Sequence, residues 1–138
     1  MKIELNRINN AVNLEAKNEE GNSIFIDGSP EIGGENMGMR PMQLLLAALG
    51  GCTSMDLLNI LKKQRQVIEA YKVVVDGNRE KEGDVSLFKK IHLHFIFKGD
   101  LDKEKVKRAV VLSVEKYCSV SKMLEPTAVI THSFEIIN

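Results

Sequence analysis

The stretch from Leu44 to Leu61, LLLAALGGCTSMDLLNIL, carries one charged residue, Asp56, over about five turns of helix. Pro41 lies just before it and suits the first turn of a helix, where its missing N–H costs nothing. The spacing predicts a helix from Pro41 to about Lys63, ended in solvent by KKQRQ. That helix is apolar on most of its sides, and a helix apolar all round has to be enclosed. Gly50, Gly51, Asp56 and Asn59 interrupt the run, and its unbroken apolar part ends at Leu49. A buried core helix is therefore expected, not a membrane span. A chain of 138 residues reads as one domain, 1–138, and has little material to wrap such a helix alone. A second subunit is expected to help cover it.

The charge balance is consistent with a soluble globular protein. Nineteen basic and nineteen acidic residues cancel, which argues against a general nucleic-acid binder. The opening MKIELNRINN is charged throughout and does not read as an export leader, so a cytoplasmic location is expected. In that setting the two cysteines, Cys52 and Cys118, read as free thiols or a redox couple, not a structural disulfide.

Around the apolar helix, periodicity places the other elements. Residues 2–27 read as a three-stranded meander with turns at Asn9-Asn10 and Glu20-Gly21-Asn22. Val12, Leu14 and Ala16 alternate between those turns. Residues 27–40, DGSPEIGGENMGMR, form a glycine-rich loop long enough to suggest a functional role or a crossing between subunits. After the helix, residues 68–80 read as a strand with Tyr71, Val73 and Val75 on one face. A turn at Lys81–Asp84 leads to a strand that places Ile91, Leu93, Phe95 and Phe97 together. A second helix begins at an Asp102 N-cap, with Leu101 and Val106 fitting a hydrophobic staple and apolar positions recurring to Tyr117. A last strand aligns Ile130, His132, Phe134 and Ile136. The order βββ-α-ββ-α-β points to an α+β fold with largely antiparallel sheet.

Chemistry centres on the thiols. A cysteine in an apolar helix is ordinarily a small core residue with an inert thiol. At Cys52, however, Gly50-Gly51 suggest close approach by another group, and Thr53 and Ser54 offer hydroxyls to a thiolate. Asp56 lies one turn on, so a reactive Cys52 needs a nearby cation, for which Arg40 and Arg7 are the candidates. Cys118 precedes SVSKMLEP, which can form a short helix whose amides favour a thiolate. If the two thiols meet, peroxide can convert one to a sulfenic acid that the other resolves as a disulfide. His92 and His94, two apart on one strand face, could hold a metal; no third ligand is evident, so no metal is expected.

RPMQLLLAALGGCTSMDLLNILKKQ resembles the first cysteine motif of the OsmC/Ohr family, with Cys52 eleven positions after Pro41. YCSVSKML resembles the second motif, with Ser119 where proline is common. The element order matches as well, so the resemblance covers essentially the whole chain and points to the OsmC-like branch. It implies an intertwined homodimer, with antiparallel sheets wrapped around two long central helices and the active sites at the dimer interface. It further implies thiol-dependent reduction of organic hydroperoxides, with Cys52 peroxidatic and Cys118 resolving, and an arginine–acid pair activating the first thiol. No bound cofactor is implied; an external thiol or dithiol, in some relatives a dihydrolipoyl group, is the reductant. Arg40 and Gln43 stand nearest to the arginine–acid pair, but Met42 and Gln43 replace the family's acidic residue. That departure leaves a second reading, an OsmC-fold protein that binds small apolar molecules with weak or no peroxidase activity.

Overall fold

The computed structural model describes every residue from Met1 to Asn138. Two compact units divide the chain, Met1–Leu45 and Leu46–Asn138. In the first, strands β1 (Ile3–Arg7), β2 (Leu14–Asn18) and β3 (Ser23–Ile26) form an antiparallel meander. Asparagine side chains close both turns. Asn9 Oδ1 accepts the Ala11 and Asn13 N–H groups, and Asn18 Oδ1 accepts those of Glu20 and Asn22. These local bonds are why asparagine holds turns. The first turn is longer than its sequence suggests: it takes in Val12, and β2 begins at Leu14.

The glycine-rich loop is a closed structure wound on one carboxylate. Its ends meet where the Asp27 N–H donates to Met39 O and the Met39 N–H donates to Phe25 O. Asp27 is buried, and its oxygens accept the N–H groups of Gly28 (2.7 Å), Met37 (3.0 Å) and Glu35 (3.2 Å). Burial pushes this carboxyl up, but the three amides and the Arg40 charge outweigh it and hold the group below its ordinary value. Glycine is required at two places: a Cβ at Gly34 would meet Gly28 O at 1.9 Å, and one at Gly38 would meet the Phe25 backbone at 2.6 Å.

The second unit is built on a sheet ordered β4 (Ala70–Glu82), β5 (Val85–Lys98), β6 (Val129–Ile137). β4 and β5 form a hairpin longer than periodicity predicted. Its connection is only Gly83-Asp84, with Gly83 at φ 62°, so pairing continues to Glu82↔Val85. β5 and β6 run parallel, the exception to the antiparallel expectation. A parallel pair needs a crossover, and the segment from Gly99 to Ala128 supplies it.

The register aligns one face as expected: Tyr71, Val73 and Val75 stand opposite Phe97, Phe95 and Leu93, which stand opposite Ile136, Phe134 and His132. Ile91, Leu93, Phe95 and Phe97 are buried, together with Leu49, Leu57 and Leu61 of helix α1 (Pro41–Lys63) and Val106, Ala109 and Val110 of α2 (Lys103–Leu112). Each of the leucine, isoleucine, valine and phenylalanine side chains contributes about 1.5–3 kcal/mol of transfer free energy. Gly50 lets α1 approach the sheet, since a Cβ there would meet Val75 Cγ2 at 2.9 Å. Asp102 caps α2 as expected, accepting the N–H groups of Glu104 and Lys105.

One helical expectation needs correction. The second helix does not run regularly to Tyr117; α2 ends at Leu112, Ser113–Tyr117 forms a π turn, and a separate helix α3 (Ser119–Leu124) follows. The extended backbone of Cys118 makes the break, its N–H donating to Ser113 O five residues back. The incomplete cover of α1 within one chain, by contrast, is as expected. Leu45, Met55 and Leu58 are exposed.

Asp27→Asn keeps the shape of the side chain but sets an NH2 group against the loop amides. A lower urea midpoint is expected at neutral pH. The carboxylate's contribution is present above its unfolded pKa and lost as pH falls through its depressed folded value. The gap between variant and wild type is therefore expected to shrink below about pH 4; parallel urea titrations across pH check it.

Candidate functional site

Cys52 lies half-buried in α1, and Cys118 is buried at the junction between the π turn and α3. Their sequence positions are far apart, yet the fold brings the two cysteines to 3.1 Å, with a hydrogen bond between the thiols. A disulfide needs the sulfurs about 2.05 Å apart, so a small side-chain movement closes the gap. Cys118 is the N-cap of α3, and its sulfur accepts the Ser121 N–H at 3.2 Å. Burial is the main force raising the Cys118 thiol from 9.0 to about 11; the hydrogen bond to Cys52 adds to it, and the Ser121 and Val120 amides oppose it. At neutral pH Cys118 therefore keeps its proton and can donate it toward Cys52.

The hydroxyls expected to serve a thiolate are occupied elsewhere. Thr53 Oγ1 donates to the Leu49 and Gly50 carbonyls, and Ser54 Oγ donates to Gly50 O. Because the Ser54 proton is used there, Tyr71 OH is the donor in the 2.7 Å contact between the two hydroxyls. Both residues satisfy backbone groups of the helix, and Ser54, through Tyr71, ties α1 to β4. Of the paired glycines, Gly50 answers to the sheet, whereas a Cβ at Gly51 meets nothing within 4 Å.

Arg40 and Gln43 are engaged with each other at the start of α1. Gln43 Oε1 accepts the Arg40 backbone N–H at 2.9 Å, the return half of a capping box. The Arg40 guanidinium donates to Gly38 O at 3.4 Å and to Asn36 Oδ1. The loop thus fixes Arg40 from both its backbone and its side chain. Arg7 is exposed on β1. Sequence reading did not single out Asp27, the centre of that loop; an Asp-Gly pair opening a glycine-rich segment was its only local signal.

His92 and His94 are tied into β6. His92 contacts Thr131 Oγ1 at 2.7 Å and Ser133 Oγ at 2.8 Å; His94 contacts Ser133 Oγ at 2.7 Å and Glu135 Oε1 at 3.2 Å. An ionised Glu135 can only accept, so Nε2 of His94 carries a proton. With neutral rings the chain then runs one way, from Thr131 through His92, Ser133 and His94 to Glu135. The rings are engaged by hydroxyls and a carboxylate, and no cluster of three metal-ligating side chains forms.

The sequence profile described as OsmC-like protein matches residues 33–133, which include both cysteines, Arg40 and Gln43. The chain belongs to the OsmC-like family. Protein YhfA of Escherichia coli K12 is 42% identical over 118 residues, covering 85% of this chain and 84% of that protein. A hypothetical protein from Aquifex aeolicus has a similar structure, with a TM-score of 0.79 and 29% identity over 99% of this chain and 97% of the other. The fold is shared with an organic hydroperoxide resistance protein OsmC from Legionella pneumophila, at TM-score 0.71 and 17% identity over 98% and 97% of the two chains. Arg7 falls outside the segment matched by the OsmC-like profile, whereas Arg40 falls within it.

The raised Cys118 thiol has a consequence for stability. A cysteine that binds its proton more tightly when folded makes stability fall as pH rises between its unfolded and folded pKa values. Reduced wild-type protein is expected to lose stability from about pH 8.5 towards pH 11. Cys118→Ser is expected to lose less over the same interval; thermal melts of both under reductant provide the comparison.

Proposed function

We propose that this chain, acting as one OsmC-like domain, reduces organic hydroperoxides by a two-thiol mechanism. The observation that carries this reading is the approach of Cys52 and Cys118 to 3.1 Å, one half-buried and the other buried. The Cys52 thiolate attacks the peroxide oxygen, the O–O bond breaks, and the alcohol leaves after taking a proton. The resulting sulfenic acid is attacked by the Cys118 sulfur; water leaves, and a disulfide forms. Two electrons pass from the thiol pair to the peroxide, and an external thiol or dithiol returns them. The family resemblance gives Arg40 the role of the cation that favours the Cys52 thiolate. Gln43, held to the Arg40 backbone, stabilises the start of the helix in place of an acidic partner.

One equivalent of cumene hydroperoxide is expected to consume two thiols per chain and to yield a Cys52–Cys118 disulfide by peptide mapping. Arg40→Ala is expected to slow that reaction at least tenfold, and Arg7→Ala to leave it unchanged. The absence of an acidic residue at Met42 and Gln43 favours a second reading, binding of small apolar molecules without turnover. Persistence of both thiols in stoichiometric peroxide, with ligand stabilisation that survives Cys52→Ser, decides for that reading.

We further propose a cytoplasmic homodimer that covers the open side of α1. Ala47, Ala48, Gly51, Met55 and Leu58 lie along one side of the helix; Ala47, Ala48, Met55 and Leu58 are exposed, and Gly51 faces open space. Gly51→Leu tests the proposal because it leaves the packing within the chain intact and raises helix propensity by roughly 1 kcal/mol. The variant is expected to be folded by circular dichroism and to sediment as a monomer; an unchanged dimer rejects this interface.

A further inference from the structure

The two members of the thiol pair differ sharply in access. Cys118 has no solvent-exposed surface, whereas Cys52 is only partly covered. Any further subunit can only reduce exposure, so Cys118 remains sealed in every assembly that preserves this fold. Val114 before it and Ser121 after it are buried as well, and its sulfur accepts the Ser121 N–H. Exchange of a disulfide requires an incoming thiolate to approach one sulfur in line with the bond that breaks, and access decides which sulfur is attacked.

We infer that the oxidised pair has a single point of entry, with the reducing thiol attacking Cys52 and Cys118 always departing as the leaving group. This inference rests on the two-thiol reading above and adds its direction. A low-molecular-weight thiolate forms a bond to Cys52 Sγ. The Cys52–Cys118 bond breaks, and its electron pair goes to Cys118 Sγ, which takes up a proton. A second thiolate then attacks the external sulfur of the mixed disulfide. The small disulfide leaves, and Cys52 is released as a thiolate. Two electrons from two thiols reduce one protein disulfide.

The arrangement also sets the fate of the mixed disulfide. The released Cys118 remains beside Cys52 and can attack it again, reversing the step. Burial, the main force raising its pKa, still acts on it there, so it keeps its proton at neutral pH; that slows the return, which quickens as pH rises and the thiolate forms. The mixed adduct on Cys52 is therefore longer-lived at pH 7 than at pH 10.

The disulfide can be prepared with diamide, which does not depend on peroxide reactivity, and exposed to cysteamine. Acid quenching at successive times, alkylation and peptide mapping then locate the adduct. The expected result is cysteamine on Cys52 with alkylated Cys118, at least 20-fold over the reverse adduct at the earliest times, and with faster decay at pH 10. Cysteamine on Cys118 with Cys52 free, or equal amounts of both, overturns the inference. Single-cysteine variants provide a second arm. Cys52 in Cys118→Ser is expected to react with an aromatic disulfide at least 100-fold faster than Cys118 in Cys52→Ser; comparable rates also overturn the inference. A diamide-prepared disulfide that follows this direction but never forms with cumene hydroperoxide rejects the peroxidase reading and leaves the directional one standing.

Discussion

The second unit is organised by the need to bury one side of α1 against a sheet. Leu49, Leu57 and Leu61 recur at helical spacing and lie in the same core as Ile91, Leu93, Phe95 and Phe97. Close approach depends on Gly50, where Val75 takes the space of a missing side chain. Thr53 and Ser54 then turn their hydroxyls onto helix carbonyls, and the Tyr71 hydroxyl joins Ser54 from β4. The rotation of α1 about its axis is fixed by these contacts. Since Cys52 lies between the residues that make them, its position is a by-product of core packing.

The second thiol reaches the same place by a different route. The parallel pairing of β5 and β6 forces a crossover, and the crossover carries α2, the π turn and α3. Extended backbone at Cys118 ends one helical segment and caps the next. A side chain that serves as a cap has a restricted direction, and here that direction is towards Cys52. Helix packing and helix capping, each sufficient to explain one cysteine, meet in a pair whose members differ in access.

Much of this was legible in the sequence. Alternation along 91–97 marked the buried face and along 130–136 its half-buried continuation, Pro41 and Asp102 marked helix starts, and the two cysteine motifs pointed to a pair. What escaped were features decided by backbone hydrogen bonding over several residues. A π turn leaves no periodic mark of its own, so Ser113–Tyr117 read as a continuation of α2. The parallel sense of β6 depends on the path of the crossover. Thr53 and Ser54 looked available for a thiolate because sequence does not reveal which carbonyls their hydroxyls find first. Gln43 looked like a weakened catalytic partner, and its position three residues after Arg40 also suited a capping role that the motif comparison did not suggest. Asp27 went unremarked because a carboxylate in a polar loop normally faces water.

The separation of the cysteines along the chain gives the pair a mechanical meaning. A bond between Cys52 and Cys118 would close a loop of about 66 residues, enclosing most of the second unit's sheet. In the chain-entropy view such a crosslink removes roughly 4 kcal/mol of freedom from the unfolded chain. Oxidation would thus brace the whole unit, and the reduced chain would be the looser of the two. By the same linkage, whatever tightens the fold also favours the crosslink, so heat or denaturant would shift its redox balance without touching either sulfur.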